Sequence, residues 1–382
     1  MFDKSDLRAA VEGGAISDEG VKRLEAFLKA RNDPDRMLDP ENLRFLTNFN
    51  DVFLTIGIAI LMTGLGFLSW IAASNIFGVA NIFGFPGEPT EAVLNQLKLA
   101  AAFVPVVLIT GAWLLAEYFC GKRRLLLPSM ALSLTIVCAA AALLTVIMMP
   151  TTEREIVQRG NDMERFFFGL SYSACGAAAV AAGVIFWRFR LPFSLFLLAG
   201  SIAGLFYTMV GDLLGLDKIA SGATMFTIGL ATLVAAIWFD MRDPLRSSRT
   251  SDHAFWLHLA AAPQIIFGAR EMIIGSGFAP AGATDAMVML IVLVAFGVLS
   301  LALNRRALIV SGLLTFAVSL WTLVDNLGGG GGNMLNNFML TALIVGGAIV
   351  LLGGGWRTAR RGLLKLIPSQ GLTGRIFPPE PA

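Results

Sequence analysis

VFLTIGIAILMTGLGFLSWIAA, Val52 to Ala73, holds no charged side chain and no proline. A helix of about 20 mostly apolar residues crosses the hydrocarbon core of a bilayer, and in lipid only helices and closed barrels satisfy every backbone N–H and C=O. The stretch therefore reads as a membrane span. It is too long for a secretory signal peptide, lacks a small-residue cleavage site and follows 50 residues charged throughout, so it is expected to remain as an anchor.

Composition says the same of the whole chain. Over 382 residues, 56% are hydrophobic and 15% charged, and the mean hydropathy is +0.71. One soluble core does not bury so much apolar surface, so lipid acts as the solvent. Working outward from the first span, nine further stretches have the length and character of spans, at about 99–120, 126–149, 166–187, 191–210, 223–239, 254–274, 285–303, 307–325 and 337–355. The expected fold class is an all-α polytopic bundle of about ten transmembrane helices with a short N-terminal helical pair. Residues 1–50 form a cytosolic helical region and linker, 51–356 the bundle, and 357–382 a cytosolic amphipathic tail.

The net charge of +2 is uninformative, but the placement of cations is not. Lys and Arg are retained on the cytoplasmic side, whereas Asp and Glu carry little weight. With the N-terminus inside, the connections on that side hold Lys122, Arg123 and Arg124, then Arg188 and Arg190, then Arg242, Arg246 and Arg249, then Arg305 and Arg306. Arg357, Arg360, Arg361, Lys365 and Arg375 follow in the tail. Of the 29 Lys and Arg residues, the opposite side keeps Lys98, Arg154, Arg159, Arg165, Lys218 and Arg270. Both termini are accordingly expected in the cytoplasm. Of the seven tryptophans, all but Trp113 fall at span ends, where an indole has its ring buried and its N–H wet; Trp113 is expected to pack between helices.

Three pairs of spans, two and three, four and five, and eight and nine, flank very short basic turns. Internal duplication and the plain needs of a tight hairpin both account for them. Span four carries Ala174-Cys175-Gly176-Ala177-Ala178-Ala179 and span five Gly200 and Gly204. Small residues permit close approach where lipid supplies no hydrophobic drive, so these two are expected centrally. Cys120, Cys138 and Cys175 show neither CxxC nor Cys/His grouping, and are read as packing residues.

Outside the spans, Leu7 to Val11 form an apolar stripe closed by Gly13-Gly14. Ser17 is placed to cap a second helix, with Asp18 and Glu19 in its first turn and Ile16 and Val21 as a hydrophobic staple. This pair packs on itself or on the bundle, or offers a surface to a protein partner. The segment Asp6 to Asn32, DLRAAVEGGAISDEGVKRLEAFLKARN, joined to an all-apolar multi-span region, resembles the bacterial membrane proteins grouped as DUF2157. That resemblance covers about 30 residues, implies a bacterial inner-membrane protein, and brings no activity or site residues with it. Further along, Asn75 to Gly87 reads as an interfacial loop and Gly328 to Gly332 as a flexible turn. Trp356 to Ile367 reads as a segment along the inner leaflet.

Ionisable groups at membrane depth are costly and so are default functional candidates. Glu117 is expected to pair with Lys122 and Arg123, while Asp212 and Asp325 mark the water boundary. Span seven combines His253, His258, Pro263, Gln264, Arg270 and Glu271. Pro263 removes a backbone bond and frees a carbonyl near mid-depth. The candidate pathway or polar-packing residues are therefore His258, Pro263, Gln264, Arg270 and Glu271. The competing reading has His258 and Gln264 bonded to neighbouring helices and Arg270 and Glu271 at the outer interface.

No HExxH or GxSxG occurs, and Gly169-Leu170-Ser171-Tyr172-Ser173 departs from the second at its last position. Two histidines exclude a multi-histidine metal centre. No catalytic site, cofactor or metal is expected, and no basic groove with interleaved aromatics suggests nucleic acid. The leading expectation is a transporter-like bundle for a small molecule or lipid of undetermined identity. The alternative is a non-enzymatic membrane scaffold or sensor acting through the N-terminal helices.

Overall fold

The structure, a computed structural model, describes residues 49–79, 90–152, 163–214, 218–243, 249–275, 279–280, 282–328 and 334–366, together with single positions within 13–23 and 373–377. Among the described residues ten long helices follow one another: α1 (Phe49–Ile76), α2 (Glu91–Ala116), α3 (Leu126–Met148), α4 (Met163–Phe189), α5 (Pro192–Leu214), α6 (Lys218–Arg242), α7 (Arg249–Ile274), α8 (Ala283–Leu303), α9 (Ala307–Leu327) and α10 (Met334–Leu364). They match the ten expected spans, and no strand occurs among the described residues. Eight of them, α1 to α6, α8 and α10, are long and apolar enough to cross a membrane. The chain is an all-α integral membrane bundle.

Hydroxyls travel through the apolar helices by folding back onto the preceding turn. Thr63 donates to the Ala59 carbonyl at 2.8 Å, Thr145 to Ala141 at 2.9 Å and Ser133 to Ser129 at 2.7 Å. Each donor is thereby satisfied without water.

Alternation of the chain between two ends is visible in contacts between neighbouring helices. At one end Lys98 of α2 donates to the Met149 carbonyl after α3 at 2.9 Å, Arg165 of α4 lies 3.6 Å from Asp212 of α5, and Asn337 of α10 donates to Asp325 of α9 at 2.8 Å. The three short basic turns gather at the other. Among the described residues, positive φ outside glycine occurs at Arg124, Arg190 and Asn304, one in each of these turns. A single left-handed residue reverses the chain in all three. In two of them the hydrogen bonds reach unusually far back. Leu125 N–H bonds to Phe119 and Arg305 N–H to Ser300, which closes the helix end with its carbonyls satisfied. The turn after α2 is shorter than expected, because the chain continues as a π-helix through Glu117–Arg123. Glu117 bonds across to Arg188 of α4 at 2.7 Å.

Among the described residues, two apolar clusters are the largest. The first joins α1 to α4 through Ile58, Met62, Ala112, Leu132, Ile136 and Ala182. Trp113 packs against it, 5.5 Å from the Phe189 ring, as its mid-span position implies. The second joins α6 to α9 through Leu233, Ala261, Ile265, Met289, Phe296 and Leu308, and Ile376 and Phe377 of the tail pack on it. Leu195 of α5, Ala236 of α6 and Leu257 of α7 link the two groups of helices.

The centre belongs to α7, the most buried helix among the described residues, rather than to α4 and α5. Its approach to α6 is set by glycines. A Cβ at Gly268 would lie 2.4 Å from the Phe226 nitrogen, and one at Gly229 2.7 Å from the Ile265 nitrogen. Gly204 of α5 does meet α4 at Cys175, but a Cβ at Gly200 would touch nothing within 4 Å, so only half of that GxxxG spacing is used.

Two peripheral expectations change. The helix does not stop at residue 355 but continues to Leu364 as part of α10, with Trp356 and Arg360 4% and 2% exposed. The boundary at 356/357 therefore falls inside one helix, which buries Trp356 and Arg360 while Thr358, Ala359, Arg361 and Gly362 are exposed. Phe77 and Val79, in the expected interfacial loop, pack with Ala100 and Phe103 of α2; residues 80–87 of that loop and 329–332 of the glycine turn lie outside the described residues. By contacts the chain divides into Met1–Leu43 with Pro379–Ala382, and Arg44–Pro378. In the first unit Ser17 Oγ accepts the Gly20 N–H at 3.1 Å and Glu19 pairs with Arg23 at 3.0 Å. This is the cap expected there, while Ile16 of the staple lies outside the described residues.

Candidate functional site

Arg305 is the residue around which the polar interior is organised. It follows Asn304, whose left-handed conformation turns the chain out of α8. That reversal points the Arg305 side chain back under the bundle, where it is 2% exposed. Its Nη2 donates to Asp240 Oδ1 at the end of α6, and its Nε donates to Asp240 Oδ2 at 3.2 Å. This two-pronged contact suits the planar guanidinium. Nη2 also reaches Ser251 Oγ of α7 at 3.3 Å, and Ser300 Oγ donates to the Arg305 carbonyl at 2.6 Å.

His258 of α7, fully buried, completes the group. Its Nε2 lies 3.7 Å from Asp240 Oδ2. Its Nδ1 is 2.8 Å from the Ala254 carbonyl oxygen. Since that oxygen only accepts, Nδ1 carries the hydrogen, and Nε2 is the nitrogen turned toward the carboxylate. One half-buried carboxylate thus faces a guanidinium on one hairpin and an imidazole on another.

Around this centre lies a layer of rings and cations. Trp356 of α10 donates through Nε1 to Asn304 Oδ1 at 2.9 Å, and Arg306 sits over the Trp356 ring at 5.4 Å. His253 lies 5.8 Å from Phe186 and 5.7 Å from Phe239. Trp256 packs on Phe193 at 4.9 Å. Trp256 and Trp356 thus lie inside protein, unlike Trp187, which is 76% exposed.

The five candidate residues of α7 separate into three levels. His258 belongs to the Asp240 cluster. Gln264, six residues on and roughly 9 Å along the axis, ties three helices: its Oε1 accepts from Thr232 of α6 at 2.9 Å and its Nε2 donates to the Ala199 carbonyl of α5 at 3.3 Å. Pro263 stands on the outer surface of the helix, exposed, and α7 runs unbroken through it. Toward the other end, Arg270 lies over the Phe267 ring at 5.1 Å and Glu271 is 7% exposed beside the start of α6.

Asp240, Ser251, Arg305 and Trp356 were not among the candidates. Arg305 reads in the sequence as one more retained cation. The available signal was Asp240: an acidic residue inside a span end that already carries the retaining cations serves no topological purpose, and so asks for a partner. Among the described residues no three His, Cys, Asp or Glu side chains come together to hold a metal ion. No family model, curated protein or solved structure matches the chain.

Proposed function

We propose that this membrane bundle moves a small molecule or lipid along a path beside α7. The observation that supports the reading is the placement of polar groups: His258, Gln264 and Glu271 are all buried, on the helix at the centre of the bundle. Such groups are expensive there, and in membrane proteins they mark pathways by default. The same proposal places the chain in a bacterial inner membrane, as a DUF2157-like protein, with both termini and the basic turns in the cytoplasm and no catalytic role.

A second reading is favoured by Gln264, whose carbonyl and amide groups each tie α7 to another helix. A bundle fastened in this way suits a rigid scaffold or sensor, with residues 1–45 binding a protein partner.

The test compares untargeted small-molecule and lipid profiles of cells and medium with and without the chain. For transport, the profile changes when the chain is present. His258→Ala or Gln264→Ala alters that change at unchanged protein level, and deletion of residues 1–45 leaves it intact. The opposite pattern, or profiles indifferent to the chain, rejects transport.

A further inference from the structure

We propose that the turns after α2 and α4 form one surface that binds the phosphate headgroup of an anionic phospholipid. The inference goes beyond transport and does not depend on what the bundle carries.

Helices α2 to α5 are each long and apolar enough to cross a membrane, so the turns joining α2 to α3 and α4 to α5 lie at a bilayer surface. These turns carry Lys122, Arg123, Arg124, Arg188 and Arg190, all exposed. The acidic residue in the same two segments is Glu117. It bonds to Arg188 at 2.7 Å, which offsets one cation and makes the two turns a single surface. Asp51, at the start of α1 on this end, is buried rather than presented there. Arg123 is held in place, with its Nε donating to the Tyr118 hydroxyl at 3.1 Å and its guanidinium over that ring at 5.7 Å. The side chains of Lys122, Arg124 and Arg190 make no ion pair or ring contact with a described residue. Positive charge therefore remains that the described protein does not neutralise.

Two of these cations stand where arginine is a costly choice. Arg124 and Arg190 have φ of 55° and 52°, in the left-handed region where a Cβ crowds the following carbonyl and which glycine or asparagine enters more easily. Asn304 fills the same place in the third basic turn. A topological signal does not require Arg124 and Arg190, because Lys122, Arg123 and Arg188 supply it from positions without positive φ. What the two arginines add is charge at the turn itself.

Depth selects the occupant. Tyr118 and Trp187, both exposed, stand within about one helical turn of the cations, at the level where a ring meets acyl chains and its polar tip meets headgroups. A ligand that reaches the cations beside these rings has phosphate above and hydrocarbon below. Clustered cations at span ends attract such lipids, each being worth about fivefold in binding.

Native mass spectrometry of the full chain in detergent, titrated with phosphatidylglycerol or with phosphatidylcholine, reads the affinity for each. Phosphatidylglycerol should bind about tenfold more tightly or better, and Arg124→Gly combined with Arg190→Gly should cut that preference about tenfold. Glycine relieves the backbone at both positions, so this variant should also unfold at a higher temperature than wild type, which separates weaker binding from misfolding. Arg242→Gln with Arg306→Gln removes two cations that already lie over the Trp238 and Trp356 rings, and should keep the preference. Equal affinity for the two lipids overturns the proposal, as does an undiminished preference in the double glycine variant. An equal loss in the Arg242 and Arg306 pair overturns it too, since the attraction would then be diffuse. Displacement of the lipid by inorganic phosphate would mark a site for a free anion and reject the lipid. None of these readings involves flux, so this surface can fail while transport stands, and the reverse.

Discussion

Gly268 of α7 and Phe226 of α6 meet backbone to backbone: a Cβ on the glycine would sit 2.4 Å from the Phe226 nitrogen and 2.7 Å from the Gly222 carbonyl oxygen. Neither is the mobile end of a side chain, so nothing yields unless the helices separate. Gly268→Ala should therefore lower stability by about 1–3 kcal/mol, the usual range for overpacking. Gly353→Ala on α10, where a Cβ meets nothing within 4 Å, should be neutral or slightly stabilising. Thermal unfolding of the two purified variants in detergent separates these outcomes, and equal behaviour would remove the close-packing argument.

The three hairpin turns give variants of opposite sign. Arg124 and Arg190 hold positive φ, a conformation in which a Cβ crowds the following carbonyl. Arg124→Gly and Arg190→Gly should stabilise by about 0.5–1 kcal/mol. Asn304 has the same backbone, but its side chain accepts the Trp356 indole at 2.9 Å, and a buried indole N–H left without its acceptor costs about 1–3 kcal/mol. Asn304→Gly should thus destabilise. A Trp356→Phe background, which has no N–H to strand, should turn that loss into the gain seen at the other two turns.

Span positions were legible because a helix in lipid needs a long apolar run, and Lys and Arg mark alternate connections. The central helix was legible only by its polarity. Small residues drew attention to Gly200 and Gly204, yet the closest approach uses Gly222, Gly229 and Gly268, since glycine spacing alone does not say which face meets a neighbour. The Asp240 and Arg305 contact was invisible for a related reason. Its two halves lie on separate hairpins, and a cation at a span end already had a topological explanation. Trp356 shows the same limit: read as the end of a span, it lies within α10, which runs on to Leu364, and protein surrounds its ring.

Topology itself is open to a direct check. The turn at Arg305 lies at the end opposite the Asp325 and Asn337 contact. Reporter fusions at the Arg305 turn and at residue 330 should therefore fall in different compartments, with the former cytoplasmic under the positive-inside rule. Fusions that report the same side would break the alternation of the last three helices.

Two ion pairs at the basic end should behave unequally. Glu117 and Arg188 lie 2.7 Å apart with side chains 36% and 47% exposed. Solvent and headgroup screening leaves such a pair worth little, so Glu117→Gln should change stability by no more than about 1 kcal/mol. Asp240 and Arg305 are 14% and 2% exposed. Here Asp240→Asn removes the anion but leaves a buried guanidinium, and the expected loss is about 3–5 kcal/mol. Arg305→Met should cost less, because the carboxylate it leaves is partly exposed to solvent. A double variant, Asp240→Asn with Arg305→Met, strands no charge and should recover much of what Asp240→Asn loses. Unfolding midpoints of the four proteins decide the point. Additive losses would mean that the two residues act independently, and that the hairpin is fastened to α6 by something other than their charges.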